Sequence, residues 1–125
     1  MHDPMSRFER HPASRWFGFC GSLFAAASVA LAAYASHAVD GEARARLLLA
    51  AVFAFGHGVA LAAMAGHGMR KLKAVALAAM AVGVVLFCGS LVADVLWGLP
   101  TRLAPAGGVL LIAGWVTYAL HSLRR

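Results

Sequence analysis

The chain is poor in acidic residues and in charge of either sign. Of its 125 residues, 5 are Asp or Glu and 13% are charged, about half the share usual in soluble domains. It also lacks GxSxG, HExxH and phosphate-loop motifs and has no CxxC pair. We therefore expect no enzyme activity, no metal site and no cofactor.

Apolar residues are abundant instead, at 62% of the chain against roughly 45–50% in soluble domains. They form four runs, at about 16–35, 46–66, 74–96 and 103–121. Each is close to the roughly 20 residues that cross a bilayer core of about 30 Å as a helix. The pattern predicts an all-α integral membrane four-helix bundle built from antiparallel transmembrane hairpins, with residues 1–15 as a polar cytoplasmic tail.

The basic residues predict the orientation of the bundle. Eight of the eleven Lys and Arg residues lie on the side of both termini, and three lie on the other side. The positive-inside rule therefore places both termini in the cytoplasm. Because these residues cluster at helix ends rather than along a helix face, topology explains the net charge of +6 better than nucleic acid binding does. An alternative is that the first run is a cleaved secretory signal, with a mature start at Ser36.

We expect small residues at helical spacing to mark the packing positions. In lipid, hydrophobicity does not drive helices together, so their contacts depend on the close approach of their backbones. A spacing of four residues joins Gly18 and Ser22 in the first run, and Gly58, Ala62 and Gly66 in the second. We expect these two runs to make the closest crossing. The third and fourth runs add further candidates, which are Gly83, Gly107, Gly108 and Gly114.

Polar residues inside the runs are the functional candidates, because ionisable groups are costly in a membrane. His57 lies near the middle of the second run, either as a proton relay or ligand contact or as a neutral histidine bonded to a Ser, Cys or backbone carbonyl across the bundle. Asp94 lies one turn after Ser90, near the outer end of the third run. We expect it to form a salt bridge to an outer-end partner, with an ion or proton site as the alternative. The candidate partners are Arg102, Arg44 and His37.

The remaining histidines and the two cysteines are weaker candidates for a haem site or a disulfide. His67 and His121 end the second and fourth runs at similar depth and raise a bis-histidine haem hypothesis, although histidines at helix ends are common interface residues. Cys20 and Cys88 are expected to be free thiols, because they lie about 15 Å apart in depth and a disulfide cannot span that distance.

Several motifs occur in a recognisable order. They are His37 at the end of the first run, Phe-Gly-His-Gly-Val-Ala-Leu at 55–61, Leu-Phe-Cys-Gly-Ser-Leu at 86–91, and Pro-Ala-Gly-Gly with Ala-Gly-Trp over 105–115. Over about residues 16–120 the chain resembles the small bacterial membrane proteins catalogued as domain of unknown function 423, which are related to transmembrane protein 256 of animals. The resemblance implies four spans in the bacterial inner membrane and supplies no activity, catalytic residue or cofactor. The chain departs from the family pattern around its histidines, where it has fewer polar residues.

Two functional hypotheses follow. The first is a small inner-membrane accessory or interaction module, whose partners are the lipid bilayer and either further copies of the chain or other membrane proteins. The alternative is an oligomeric transporter or channel component in which His57, Ser90 and Asp94 line a polar path. Four helices leave little room for a pore, so this alternative requires at least a dimer.

Overall fold

A computed structural model describes residues 12–66 and 68–124, which form four α-helices and no strand. The helices are α1 (Pro12–Ala38), α2 (Gly41–Met64), α3 (Lys71–Trp97) and α4 (Leu103–Arg124). Each is long and apolar enough to cross a membrane. The all-α bundle of four candidate spans predicted from the sequence is therefore confirmed.

The helices are longer than most of the predicted spans. The 27 residues of α1 and of α3 correspond to about 40 Å, so their ends extend beyond a hydrocarbon core of about 30 Å. Residues 12–15, which were predicted to belong to the polar tail, already form the first turn of α1. The rest of that predicted tail, residues 1–11, lies outside the described residues.

Each helix runs antiparallel to the helix that precedes it in the chain. One end of the bundle carries Pro12 and Arg124 and is called the terminal end, whereas the opposite end carries the connections 39–40 and 98–102 and is called the loop end. α2 and α3 form the centre, with α1 packed along α2 and α4 packed along α3. In the described part of the chain, no Cα atoms of α1 and α4 approach within 8 Å. The buried core is formed by Ala50, Ala54, Leu61, Leu77, Met80, Val84, Cys88, Leu91 and Leu111.

Two glycine contacts set the helix spacing. A Cβ atom added to Gly21 would lie 2.5 Å from the Gly58 carbonyl oxygen, and one added to Gly58 would lie 2.6 Å from the Gly21 oxygen. The α3–α4 pair is equally close, because a Cβ atom on Gly107 would lie 2.4 Å from the Phe87 nitrogen and 2.8 Å from the Gly83 oxygen. The first two spans do cross closely, but α3 and α4 approach each other at least as closely, so the first two spans do not make the closest crossing as expected.

The faces that pack differ in part from the predicted stripes. Gly18 and Ser22 do not contact another helix closely; the buried small residues of α1 are instead Ser14, Gly21, Ser28 and Ala35. Gly66 is exposed, and a Cβ atom there or on Gly18 would meet nothing within 4 Å. The reason is geometric. With 3.6 residues per turn, a spacing of four drifts about 40° per step, whereas a spacing of seven stays on one face.

In the second hairpin the predicted glycines divide in the same way. Gly83, Gly107 and Gly114 are buried at the α3–α4 contact, and a Cβ atom on Gly114 would lie 2.8 Å from the Met80 side chain. Gly108 is one position out of register, and its nearest neighbour would be 4.0 Å away. Adjacent helical residues point about 100° apart, so only one member of a Gly-Gly pair can face the same neighbour.

The outer surface of the bundle is apolar. Large side chains on all four helices are more than half exposed, a surface that would aggregate in water and that suits lipid tails. Examples with exposed fractions of 51–67% are Trp16, Val29, Val52, Val82, Val85, Val109, Ile112 and Val116.

Candidate functional site

His57 is half-buried in α2, and both of its ring nitrogens are engaged. Its Nδ1 lies 2.8 Å from the Phe53 carbonyl oxygen one turn earlier, and its Nε2 lies 3.0 Å from the indole Nε1 of Trp115 in α4. The indole can only donate a hydrogen bond and the carbonyl can only accept one. His57 is therefore the neutral tautomer that carries its proton on Nδ1.

An aromatic cluster surrounds this histidine. The His57 ring stacks on Phe53 with 5.8 Å between centroids and an angle of 11° between the planes, and the centroid of Trp115 lies 5.9 Å away. Phe53 in turn contacts Phe87 of α3 at 4.8 Å. The cluster thus joins α2, α3 and α4, although no backbone contact joins α2 and α4 directly.

This arrangement limits the chemistry of His57. Protonation of Nε2 would place its N–H opposite the Trp115 N–H, so a proton could be accepted only after that bond breaks. Metal coordination through Nε2 would need the same rearrangement, since its lone pair accepts the indole hydrogen bond. Of the two hypotheses for this residue, the geometry corresponds to the neutral, bonded histidine. Its partner across the bundle is Trp115 rather than a Ser, Cys or backbone carbonyl, and the carbonyl that it contacts belongs to its own helix.

Asp94 forms an ion pair, but with a residue other than those expected. Its carboxylate accepts a hydrogen bond from the Arg46 guanidinium of α2. The expected partners Arg102, Arg44 and His37 are not the ones that it contacts. The Asp94 side chain is 22% exposed and the Arg46 side chain is 46% exposed, which corresponds to a position at the rim of the bundle.

Arg44 has a different role at the loop end. Its Nε donates to the carbonyl oxygens of Ala35 and Val39 at 3.1 and 3.0 Å, and its Nη2 donates to the Ser36 oxygen at 3.0 Å. It also pairs with Asp40 at 3.3 Å. A cation at the carboxyl end of α1 satisfies free carbonyls and opposes the negative end of the helix dipole. His37 lies in the same last turn and is exposed.

Ser90 is buried in α3, with 8% of its surface exposed. Among the buried side-chain oxygen and nitrogen atoms of the described residues, its hydroxyl is the one without a hydrogen-bond partner. An unsatisfied buried hydroxyl costs about 1–3 kcal/mol. Cys88, two residues earlier, does find a partner, since its thiol donates to the Ala50 oxygen at 3.3 Å.

The three residues of the predicted polar path are not brought together. The ion pair places Asp94 of α3 at the level of Arg46 along the bundle. His57 lies eleven residues after Arg46 on α2. At 1.5 Å per residue the ion pair and the histidine are about 16 Å apart along the bundle. Apolar residues occupy α2 between them, from Leu47 to Phe55.

The bis-histidine hypothesis concerned the terminal end. His67 lies outside the described residues. His121 is buried in the last turn of α4, and its ring lies 5.6 Å from that of Tyr118, with an angle of 50° between the planes.

Sequence reasoning missed the residues that complete these contacts. Phe53 could have been found, because it lies four residues before His57 on one helix face. Trp115 carried no such signal, since its distance from His57 along the chain is 58 residues. Gly21 was passed over because glycines at 18 and 21 are equally compatible with an alanine-rich helix.

Fold and site together define an α-helical multi-pass membrane protein in which the two ionisable candidates, His57 and Asp94, bond to other side chains or to the backbone. The sequence of residues 31–108 matches the family described as "Protein of unknown function (DUF423)". This match covers more than half of the chain, so the chain belongs to that family, as the motifs predicted. The matched segment contains His57 and Asp94 and ends before Trp115. No solved structure matched the chain.

Proposed function

We propose that this protein is a non-enzymatic accessory or interaction module of the bacterial inner membrane. The observation that supports this role best is the double hydrogen bonding of His57, which leaves the deepest ionisable group without a free donor or acceptor. The ion pair of Asp94 with Arg46 engages the other ionisable candidate within the predicted spans.

The outward surface supports an interaction role. Among the described residues, Gly18, Gly56, Gly66 and Gly89 have no neighbour within 4 Å of an added Cβ atom, so each leaves open space on the outside of that part of the bundle. Small residues allow another transmembrane helix to approach closely. The candidate occupants are a second copy of the chain and a helix of another membrane protein.

The proposed orientation places both termini in the cytoplasm. Its support is the distribution of basic residues, eight at the terminal end and three at the loop end. Reporter fusions at Gly98 and Arg125 test it. We expect a periplasmic signal at Gly98 and a cytoplasmic signal at Arg125, and the reverse result would overturn the orientation.

Flux measurements separate the module from the transporter alternative. The full chain in proteoliposomes should give no proton uptake or solute flux above that of protein-free vesicles. Flux that His57→Ala or Asp94→Asn abolishes would instead support the polar path and overturn our proposal. Asp40→Asn is the matched control for Asp94→Asn, because Asp40 is an exposed acid at the same end of the bundle.

Purification from native membranes in mild detergent tests the interaction role directly. We expect the chain to be recovered with a stoichiometric membrane protein or as a defined oligomer. Recovery as a monomer without a protein partner would contradict the proposal. Replacing Gly66 with a large residue should weaken the association if the partner occupies the open space at this residue, whereas the same change at Gly89, on α3, should not.

A further inference from the structure

A cleft of about 530 Å³ separates α2 from α4. In the described part of the chain, no Cα atoms of these two helices approach within 8 Å, and both helices pack on α3. Phe53 and His57 line the cleft from α2, Phe87 lines it from α3, and Gly108 and Trp115 line it from α4. Its volume lies within the roughly 300–1,000 Å³ that is typical of small-molecule sites.

The lining of the cleft favours a neutral ligand that dissolves in the membrane. None of the described residues that line it is an Asp, Glu, Lys or Arg, and the hydrogen bonds of His57 make that residue neutral. Two lining residues of α4, Ile112 and Val116, are 67% and 55% exposed, so the cleft is open to the lipid. A charged ligand would have to leave water without a counter-ion, which is costly.

Aromatic side chains provide a surface for a flat ligand. The rings of Phe53 and Phe87 contact each other with 4.8 Å between their centroids, and Trp115 adds its indole from α4. A Cβ atom on Gly108 would lie 4.0 Å from the Phe87 ring, so the glycine leaves the space beside that ring open. Aromatic rings pair favourably at centroid distances of about 4.5–7 Å. A ligand ring can therefore pack against Phe87 beside Gly108.

The polar side-chain groups among the described lining residues indicate which functional group fits. They are the indole N–H of Trp115 and the Nε2 of His57, which bond to each other at 3.0 Å. The indole can only donate, and Nε2 in this tautomer can only accept. A hydroxyl group between them accepts from the indole and donates to the imidazole, so that it replaces one hydrogen bond with two. A carbonyl or an ether oxygen can accept from the indole but leaves Nε2 without a donor.

Trp115 is the member of this pair that can make room. It is 42% exposed, and its ring is tilted by 59° from the His57 ring. His57 is held in place, because it stacks on Phe53 and its Nδ1 bonds to the Phe53 carbonyl oxygen. The indole can therefore turn toward the lipid while the imidazole keeps its position and its tautomer. Within the bilayer core no water competes for these groups, which favours their bonds to a ligand hydroxyl.

We propose that this cleft binds a phenol with an apolar substituent, and that the phenol hydroxyl is inserted between Trp115 and His57. The ligand ring packs against Phe87 beside Gly108, and the substituent extends toward the lipid. A phenol suits the cleft better than an aliphatic alcohol, because its ring pairs with the aromatic side chains and its hydroxyl is the stronger donor. The inference is independent of the accessory role and of the orientation of the bundle, and His57 stays neutral in it.

Nuclear magnetic resonance of the indole ¹⁵N–¹H groups of the full chain in detergent micelles tests the proposal. The chain has three tryptophans, and Trp115→Phe identifies the signal of Trp115 by removing it. The protein is titrated with 4-hexylphenol and, separately, with its methyl ether 4-hexylanisole. Concentrations are expressed as mole fractions in the micelle, so that partitioning into the detergent does not affect the comparison. We expect a saturable shift of the Trp115 signal and about tenfold tighter binding of the phenol, because the ether cannot donate to Nε2.

Two variants locate the site. His57→Phe removes the acceptor and should bring the affinities for the phenol and the ether to within about twofold of each other. Gly108→Leu fills the space beside Phe87 and should weaken the binding of 4-hexylphenol about tenfold. Gly89→Leu is the matched control and should leave the affinity unchanged, since Gly89 also has open space around it but lies on α3 outside the cleft. Should Gly108→Leu lose helicity by circular dichroism, the comparison of the two ligands in His57→Phe decides.

Several results would overturn the proposal. Equal affinities for 4-hexylphenol and 4-hexylanisole, or the absence of a saturable shift, would mean that hydrocarbon chains fill the cleft without a hydroxyl site. Equal losses for Gly108→Leu and Gly89→Leu would place any binding outside the cleft. The ligand 4-hexylcyclohexanol tests the aromatic ring and should bind about fivefold more weakly than the phenol. An affinity equal to that of the phenol would overturn the phenol in favour of any lipophilic alcohol.

Discussion

Replacement of Gly58 by alanine is the sharpest test of the helix packing. The added methyl group would lie 2.6 Å from the Gly21 oxygen, 2.9 Å from the Ala25 nitrogen and 3.0 Å from the Phe24 Cβ. Two of these atoms belong to the backbone and cannot rotate away. The substitution must therefore push α1 and α2 apart along their whole contact.

The magnitude follows from two opposing effects. Alanine is favoured over glycine in a helix by roughly 0.5–1 kcal/mol, whereas overpacking a tight contact costs roughly 1–3 kcal/mol. Since the overlap involves backbone atoms, we take the upper part of that range and expect Gly58→Ala to lower the free energy of unfolding by about 2 kcal/mol. Gly56→Ala, on the same helix with nothing within 4 Å, should leave it unchanged or raise it by up to about 1 kcal/mol.

The free energies are measured by unfolding the purified protein in mixed micelles with increasing dodecyl sulfate, followed by circular dichroism. The expected difference between the two variants is about 3 kcal/mol, taken from the two effects above. Equal shifts for Gly56→Ala and Gly58→Ala, or a stabilising effect of Gly58→Ala, would refute the glycine contact between α1 and α2.

The remaining predictions concern the polar contacts. Trp115→Phe removes the indole donor and should lower the free energy of unfolding by about 1 kcal/mol in the same titration, and it should lose most of this effect in a His57→Phe background. A double-mutant cycle of Arg46→Gln and Asp94→Asn should give a coupling energy of up to about 1 kcal/mol, because both side chains are partly exposed. The cycle of Arg44→Gln with Asp94→Asn is its control and should give no coupling; the opposite pattern would contradict the assigned ion pair.

Much of the fold could be predicted from the sequence because the signals are local. Hydropathy runs report which segments suit lipid, and the short connections require neighbouring helices to be antiparallel. Similarly, an ionisable residue such as His57 in a span is expected to find a partner, and the neutral, bonded histidine was one of the two hypotheses made for it.

The rotation of each helix about its axis was beyond sequence reasoning. Arg44 and Arg46 are two residues apart and point about 160° away from each other, so the rotation of α2 decides which of them faces Asp94. For the same reason the contact face of α1 was placed at Gly18 rather than Gly21, about 60° away. Alanine is so frequent in this chain that composition does not single out one face of α1. The contact face is set instead by the close approach of the α1 and α2 backbones at Gly21 and Gly58.

The partner of His57 was unpredictable for a different reason. Trp115 lies 58 residues away and on a helix whose backbone does not approach α2. The bond depends on the reach of two long side chains across α3, which carries no periodic signal.

The protonation state of His57 tests the central claim, that the ionisable candidates His57 and Asp94 are held in internal bonds rather than available for transport. It is measured by ¹⁵N nuclear magnetic resonance of the histidine-labelled protein in lipid at neutral pH, with His57→Phe used to assign the signal among the six histidines. We predict a neutral ring with the proton on Nδ1 and an unprotonated Nε2 that accepts the Trp115 hydrogen bond. A ring protonated at both nitrogens, or at Nε2 alone, would contradict the account.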